Sequence, residues 1–431
     1  MTPDTMAPPL SDDETGPLRS GIDPLDEHAA VDPALFEPPA GEPPFARTVL
    51  TTPLHLAVAA ESRVNRWTRW NGFTVASVLT DLDDEYRALR GAAALADISP
   101  LAKYRIAGRD AHVYLDRLVT RDLGLLAVDR ALHVHFCEEH GLVVGDGLLF
   151  RLGDDEYRLV TEETHLAWLM DSAIGLRVRV EDVGDTLAAM SLQGPLAAVC
   201  LAEAGLAGIE RLAPMAGCWA AAAGMPVYVS RTGTSGDLGY EIWVDPDDAP
   251  HVWRHLTDVG PPFGLRVSGF RLRELARLEA GFARAGRDYL GAFAAIDPAH
   301  ARTPFELGAG HHVDFDKPFF NGRAALARLA AAPARRLVRL AVEGLEPARF
   351  VGVHANGRQV GIATTSGFSP ARGQNIALAT LDAGAPVAGL TVDAEIRDEL
   401  TPRRVSLPAR VVGEPFWAPA RRRAVPAPLT A

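Results

Sequence analysis

A change of pattern near residues 330–336 constrains this chain most. Before it, from Thr48 to about Ala331, strand-like and helix-like stretches alternate. After it come only short strand candidates at 337–343, 350–353, 359–363, 376–381 and 390–396, with an Asn356-Gly357 turn signal between two of them. Short strands with turns predict a small all-β domain. At 431 residues the chain exceeds one compact core, so two or three domains are expected. No repeat of solenoid period is present.

In the first part, Thr80-Asp81-Leu82-Asp83-Asp84-Glu85 predicts a helix start, with a capping side chain and acids in the first turn. Residues 109–118, 248–259 and 269–280 have helical period. Residues 148–152 and 157–161 read as a hairpin around Gly153-Asp154-Asp155, and 227–231 with 240–245 as another strand pair. Residues 1–45 are rich in Pro, Asp and Glu and poor in large apolar side chains, which predicts a flexible tail with Leu35 and Phe36 as its docking candidates. The expected layout is this tail, an α+β core over 46–331, a β-barrel domain over 332–416 and a peripheral Pro- and Arg-rich tail over 417–431.

The formal net charge of -12 argues against a nucleic-acid partner, which needs a basic footprint. Any anionic ligand must therefore find local arginines. Cys137, Cys200 and Cys218 form no CxxC pair and no metal-ligand spacing, consistent with reduced thiols in a cytoplasmic protein. No apolar run approaches the ~18 residues of a membrane span, and MTPDTMAPPLSDDE lacks the basic start and apolar middle of a secretory signal. The sequence sets no oligomeric state.

A series of short motifs then adds a resemblance. In order these are Trp70-Asn71-Gly72-Phe73, Ala96-Asp97-Ile98-Ser99, Leu118-Val119-Thr120-Arg121-Asp122, the segment from Cys137 to Asp146, and Leu192-Gln193-Gly194-Pro195. They continue with Arg231-Thr232-Gly233, Gly236-Asp237-Leu238-Gly239-Tyr240-Glu241, Arg273 to Ala280, Pro304-Phe305-Glu306-Leu307-Gly308 and Gly367-Phe368-Ser369-Pro370. Each is weak alone; their order and spacing resemble the glycine-cleavage T-protein (aminomethyltransferase) superfamily from about Thr52 to residue 395. The resemblance implies an α+β fold of three domains around a central folate cleft, closed by a C-terminal all-β barrel. It also implies a tetrahydrofolate-dependent transferase acting on a small molecule.

Folate chemistry makes specific demands. The pterin edge offers donors to a carboxylate, its N5 exchanges the one-carbon group beside a proton acceptor, and its glutamate tail wants arginine. The resemblance assigns Asp146, expected just ahead of a strand, to catalysis and Glu241 to the pterin. It assigns Arg273 to folate. Arg231, before the glycine-rich loop 233–239, is a further candidate; the glycines there would let backbone approach a ligand. Arg277 has an alternative partner in Glu274, three residues back on its helix. Trp70 and Phe73, with Trp67, suggest an aromatic wall suited to a cationic substrate. Tyr104 ends the segment Asp97-Ile98-Ser99-Pro100-Leu101-Ala102-Lys103-Tyr104, which looks more like the superfamily's demethylase branch. His133 and His135 share one face of a strand, whereas His311 and His312 are adjacent. With no carboxylate at ligand spacing, no metal is expected.

Several positions depart from the T-protein pattern. Gly145 replaces the first Asp of a pair, His133 stands where many have a folate-contacting Tyr, and Thr234 and Phe282 replace two more tyrosines. Pro100-Leu101 replaces His-Met. These changes cluster at the reacting end of folate. They favour methyl transfer between an O-, N- or S-methylated small molecule and tetrahydrofolate, with His133 as proton shuttle. The alternatives are the aminomethyl transfer of glycine cleavage, a non-enzymatic folate binder of the same fold, a detached half of a flavin-linked dehydrogenase, and a folate-free enzyme of this fold. The binder's Lys-Gly-Cys-Tyr motif and the dehydrogenase's GxGxxG motif are both missing.

Overall fold

The computed structural model describes residues 50–297, 300–344, 349–397 and 402–426. The segment expected to form a flexible N-terminal tail lies outside the described residues. Two large sheets and a three-stranded one, in the order Leu50–Thr51, Phe73–Val78 and Arg66–Trp70, build the α+β core. The first has six strands in the order Gly217–Ala222, Met225–Ser230, Gly239–Val244, Ala188–Gln193, Ala93–Asp97 and Leu265–Val267. Its two central strands, Ala188–Gln193 and Gly239–Val244, are buried at every residue, which fits their near-continuous apolar runs. The second has five strands in the order Arg130–Cys137, Val143–Arg151, Glu156–Thr161, Ala102–Ala107 and Arg179–Asp182.

Local chemistry accounts for the boundaries. Asp81 caps helix Leu82–Gly91 by accepting from the backbone N–H groups of Asp83 and Asp84, so the predicted helix start is found. The period at 109–118 gives helix Ala111–Leu118. The hairpin forms between Val143–Arg151 and Glu156–Thr161, but its first strand begins earlier than expected. Asp146 therefore lies inside a strand rather than ahead of one.

The C-terminal part is a closed six-stranded barrel in the order Arg335–Val342, Gln374–Asp382, Arg358–Ser369, Arg349–Ala355, Leu390–Arg397 and Pro402–Val412. Asn356 and Gly357 both have positive φ, 51° and 75°, the conformation a two-residue hairpin turn requires. The closing strand Pro402–Val412 escapes a sequence reading because Pro402 and Pro408 remove ladder donors.

Helix Phe270–Ala280 joins core to barrel. Every residue of it except Arg273 is buried. Arg277 bonds Glu274 at 2.8 Å, Asp288 at 2.7 Å and the barrel's Thr365 at 3.2 Å. Gly281, at φ 75°, ends the helix in the left-handed conformation. The segment after the barrel is not peripheral, contrary to expectation. The Trp417 indole N–H donates to buried Asp237 at 2.9 Å, and Arg421 donates to the same carboxylate at 2.6 and 2.8 Å. No helix among the described residues is long and apolar enough to cross a membrane.

Candidate active site

A cleft of about 540 Å³ opens where the two sheets meet helix Phe270–Ala280 and the barrel. That size suits a small organic ligand. Of the residues singled out in the sequence, Asp146, His133, Glu241, Arg273, Thr234 and Phe282 line it.

At one end, strands Arg130–Cys137 and Val143–Arg151 pair antiparallel with His135 opposite Asp146 and His133 opposite Leu148. Period-two alternation sends all four side chains to the cleft face. His133 Nε2 lies 2.7 Å from Asp146 Oδ2. The other carboxylate oxygen accepts a short hydrogen bond from the hydroxyl of Tyr289. Burial pushes Asp146 up, but the His133 hydrogen bond and charge, with His135 and Tyr289, outweigh it. Its carboxyl is held well below the usual range, so it is an ionised acceptor. Burial first, then the Asp146 charge, raises Tyr289, which keeps it a donor.

Further along the wall, Glu241 is buried on strand Gly239–Val244, and its Oε2 accepts from Thr232 Oγ1. Burial raises its pKa against the lowering effects of Thr232 and Arg273. No hydrogen bond reaches Oε1 among the described residues, so this oxygen, on a buried residue of the cleft wall, can receive a donor from a ligand. Arg273 forms a close ion pair with Glu162 and lies 4.5 Å above the Trp70 ring.

Four expected residues face elsewhere. Trp70 is a platform beneath Arg273 and packs on Phe270 with ring centroids 5.1 Å apart. Phe73 packs in the same apolar cluster. Tyr104 is fully buried, its hydroxyl accepting from the His165 backbone N–H at 2.6 Å. None of the three forms a substrate wall. Arg231 turns from the cleft and donates to the carbonyls of Leu212, Arg421, Arg422 and Ala424. The 233–239 glycines serve packing as well. A Cβ on Gly233 or Gly239 would stand 2.3 or 2.0 Å from the Gln193 amide, which donates to Thr232 and Tyr240 carbonyls and accepts from Ser235. Arg277 belongs to the joint between helix and barrel.

Other cleft residues come from outside the sheets and long helices: Tyr289 and Arg284 from an irregular segment, and His312 and, after the barrel, Arg422 from short 3-10 turns. Only position in space marks them. His312 lies 3.2 Å from His135, Nδ1 to Nδ1, across 177 residues of sequence. Burial pushes His135 down to about 3 and His312 to about 2.

An α+β core clasped to a closed barrel around a cleft with a half-buried, ionised carboxylate defines the class of protein. Residues 53–317 match the family model of the GCVT N-terminal domain, and residues 335–417 that of the glycine cleavage T-protein C-terminal barrel domain. The chain belongs to the glycine-cleavage T-protein family. It is 31% identical over 357 residues to an aminomethyltransferase of Bacillus subtilis, covering 81% of this chain and 94% of the relative. It is 32% identical over 372 residues to a trimethylamine-oxide aldolase of Ruegeria pomeroyi, covering 82% of this chain and 45% of that protein. The crystal structure of glycine cleavage system aminomethyltransferase T from Bartonella henselae superposes with a TM-score of 0.75 at 24% identity, covering 88% of this chain and 100% of that one. This last likeness concerns the fold alone.

Proposed function

We propose that this protein is a cytoplasmic, tetrahydrofolate-dependent one-carbon transferase that moves a methyl group between an O-, N- or S-methylated small molecule and tetrahydrofolate. The observation that carries it is Asp146, a carboxylate held ionised on the cleft wall between His133 and Tyr289. The donor set fits the cofactor: Glu241 keeps an oxygen for the pterin edge, and Arg273 and Arg284 line the same cleft for its anionic end. When bound, tetrahydrofolate would supply the N5 lone pair that accepts the carbon as the substrate's heteroatom leaves. Asp146 stabilises the positive charge this creates. His133, hydrogen-bonded to Asp146, is the group that would pass the proton released there to the departing heteroatom. Its side chain, 39% exposed beside an 18% exposed Asp146, supports this reading.

Methyl rather than aminomethyl transfer is favoured by Gly145. A Cβ there would meet His165 Nε2 at 2.5 Å and the Phe136 ring at 2.7 Å, leaving no room for the paired Asp of the T-protein pattern. The aminomethyltransferases among its relatives support the alternative, transfer of an aminomethyl carbon.

Calorimetric titration with tetrahydrofolate tests the cofactor. Wild type should bind, and Glu241→Ala should weaken binding by roughly 1.5–3 kcal/mol, the worth of a charged hydrogen bond. Absence of wild-type binding refutes the reading. A screen of methylated substrates for 5-methyltetrahydrofolate, with Asp146→Asn as inactive control, then separates methyl from aminomethyl transfer.

A further inference from the structure

Three imidazoles converge beside Asp146. His133, His135 and His312 each present a ring nitrogen within 4.8 Å of the others, and their ring centroids lie 5.0–5.2 Å apart. A tetrahedral zinc ion with bonds of ~2.0–2.1 Å holds its ligand nitrogens about 3.3 Å apart. The His135 and His312 nitrogens already stand at 3.2 Å, and the His133 nitrogen lies within 4.8 Å of both.

The backbone around the three is tied to one dipeptide. Thr120 N–H donates to the His135 carbonyl at 2.9 Å, Thr120 Oγ1 to the His312 carbonyl at 2.7 Å, and Arg121 Nη1 to the His133 carbonyl at 3.1 Å. Asp146 on His133 Nε2 is the carboxylate partner that metal-bound histidines commonly have, and it leaves Nδ1 for an ion. It also offsets the positive charge of nearby Arg121. All three side chains line the cleft.

We propose that His133, His135 and His312 bind one divalent transition-metal ion of the zinc class, with its fourth position open to the cleft. Three neutral nitrogen ligands and an open site suit zinc or cobalt better than magnesium or calcium, which prefer oxygen. The open position accepts a lone pair from water or from the heteroatom of a small ligand. The three rings share the cleft with the residues assigned to folate, and while the ion is bound His133 holds it in place of carrying a proton.

The test uses the full chain after chelator treatment, titrated with Co²⁺. One equivalent should bind, give the visible bands of a tetrahedral centre and be displaced by Zn²⁺. His312→Gln and His133→Asn should abolish the bands, and Asp146→Asn should weaken binding by roughly 10–100-fold. Circular dichroism verifies folding of each variant. Independently of any substitution, Zn²⁺ should shift three of the 13 histidine imidazoles in nitrogen-detected NMR. Metal uptake that these substitutions leave unchanged, or no imidazole shift in wild type, overturns the proposal.

Discussion

Nε2 of His165 lies 2.5 Å from the point where a Cβ on Gly145 would stand. The imidazole fills the space beside Asp146 that a larger neighbour would need. Its Nε2 has no hydrogen-bond partner among the described residues, and burial pushes its pKa down to about 4. His165 acts here as a neutral filler. Gly145→Asp should therefore destabilise the fold by about 1–3 kcal/mol through overpacking. Adding His165→Ala should recover part of that loss. Equal melting temperatures for wild type and Gly145→Asp would show that the space is not occupied in solution.

Tyr289→Phe removes a donor from Asp146. Loss of a hydrogen bond to a charged group, about 1.5–3 kcal/mol, corresponds to a rise of roughly one to two pH units in the Asp146 pKa. The carboxylate would then protonate at a higher pH, and activity would fall earlier on acidification. Carbon NMR titration of the Asp146 carboxyl in both proteins checks the direction. An unchanged midpoint would mean that the hydroxyl does not hold the carboxylate.

Glu274 supplies a stability signature. Burial raises its pKa, but Arg277, Arg284 and Arg273 together hold it well below the ordinary glutamate value. Its folded pKa is depressed, so its stabilisation is complete above the unfolded value of ~4.3 and is lost as pH falls toward the folded value. At neutral pH, Glu274→Gln should cost about 3–5 kcal/mol, since it leaves buried Arg277 short of a partner. The gap to wild type should narrow steadily below about pH 4. Denaturant melts across pH measure both, and a pH-independent gap would contradict the assignment.

Asp237→Asn should loosen the C-terminal segment, because its carboxylate takes three hydrogen bonds from Trp417 and Arg421. Faster amide exchange over 417–426, with the barrel strands unaffected, is expected. Arg231→Met should do the same from the other side. Uniform protection in both variants would argue that the segment is held by something else.

The two-part architecture was legible in the sequence because it lies in local pattern. Helix Leu82–Gly91 announces itself by Asp81, and the barrel by its turns. Asp146 and Glu241 were reachable because motif order marks them. Arg231 looked like a ligand contact for the same reason, but its guanidinium is taken by carbonyls 190 and more residues away. Trp70 and Tyr104 were misplaced because an aromatic side chain carries no sign of the sheet face it occupies. Tyr289 sits in an irregular segment and His312 in a short 3-10 turn, both placed only by the tertiary structure.

Arg277 joins helix Phe270–Ala280 to Asp288 and to Thr365 of the barrel, out of reach of water. A swing of the barrel away from the core would take Thr365 from Arg277, and Thr364 and Thr365 from the buried carboxylate of Asp288, leaving a buried ion pair short of three hydrogen bonds at a cost of several kcal/mol. The cleft is thus a fixed socket rather than a jaw. A ligand of this cleft would then exchange through its mouth by side-chain and loop displacement, and the shape present before it enters would set the specificity.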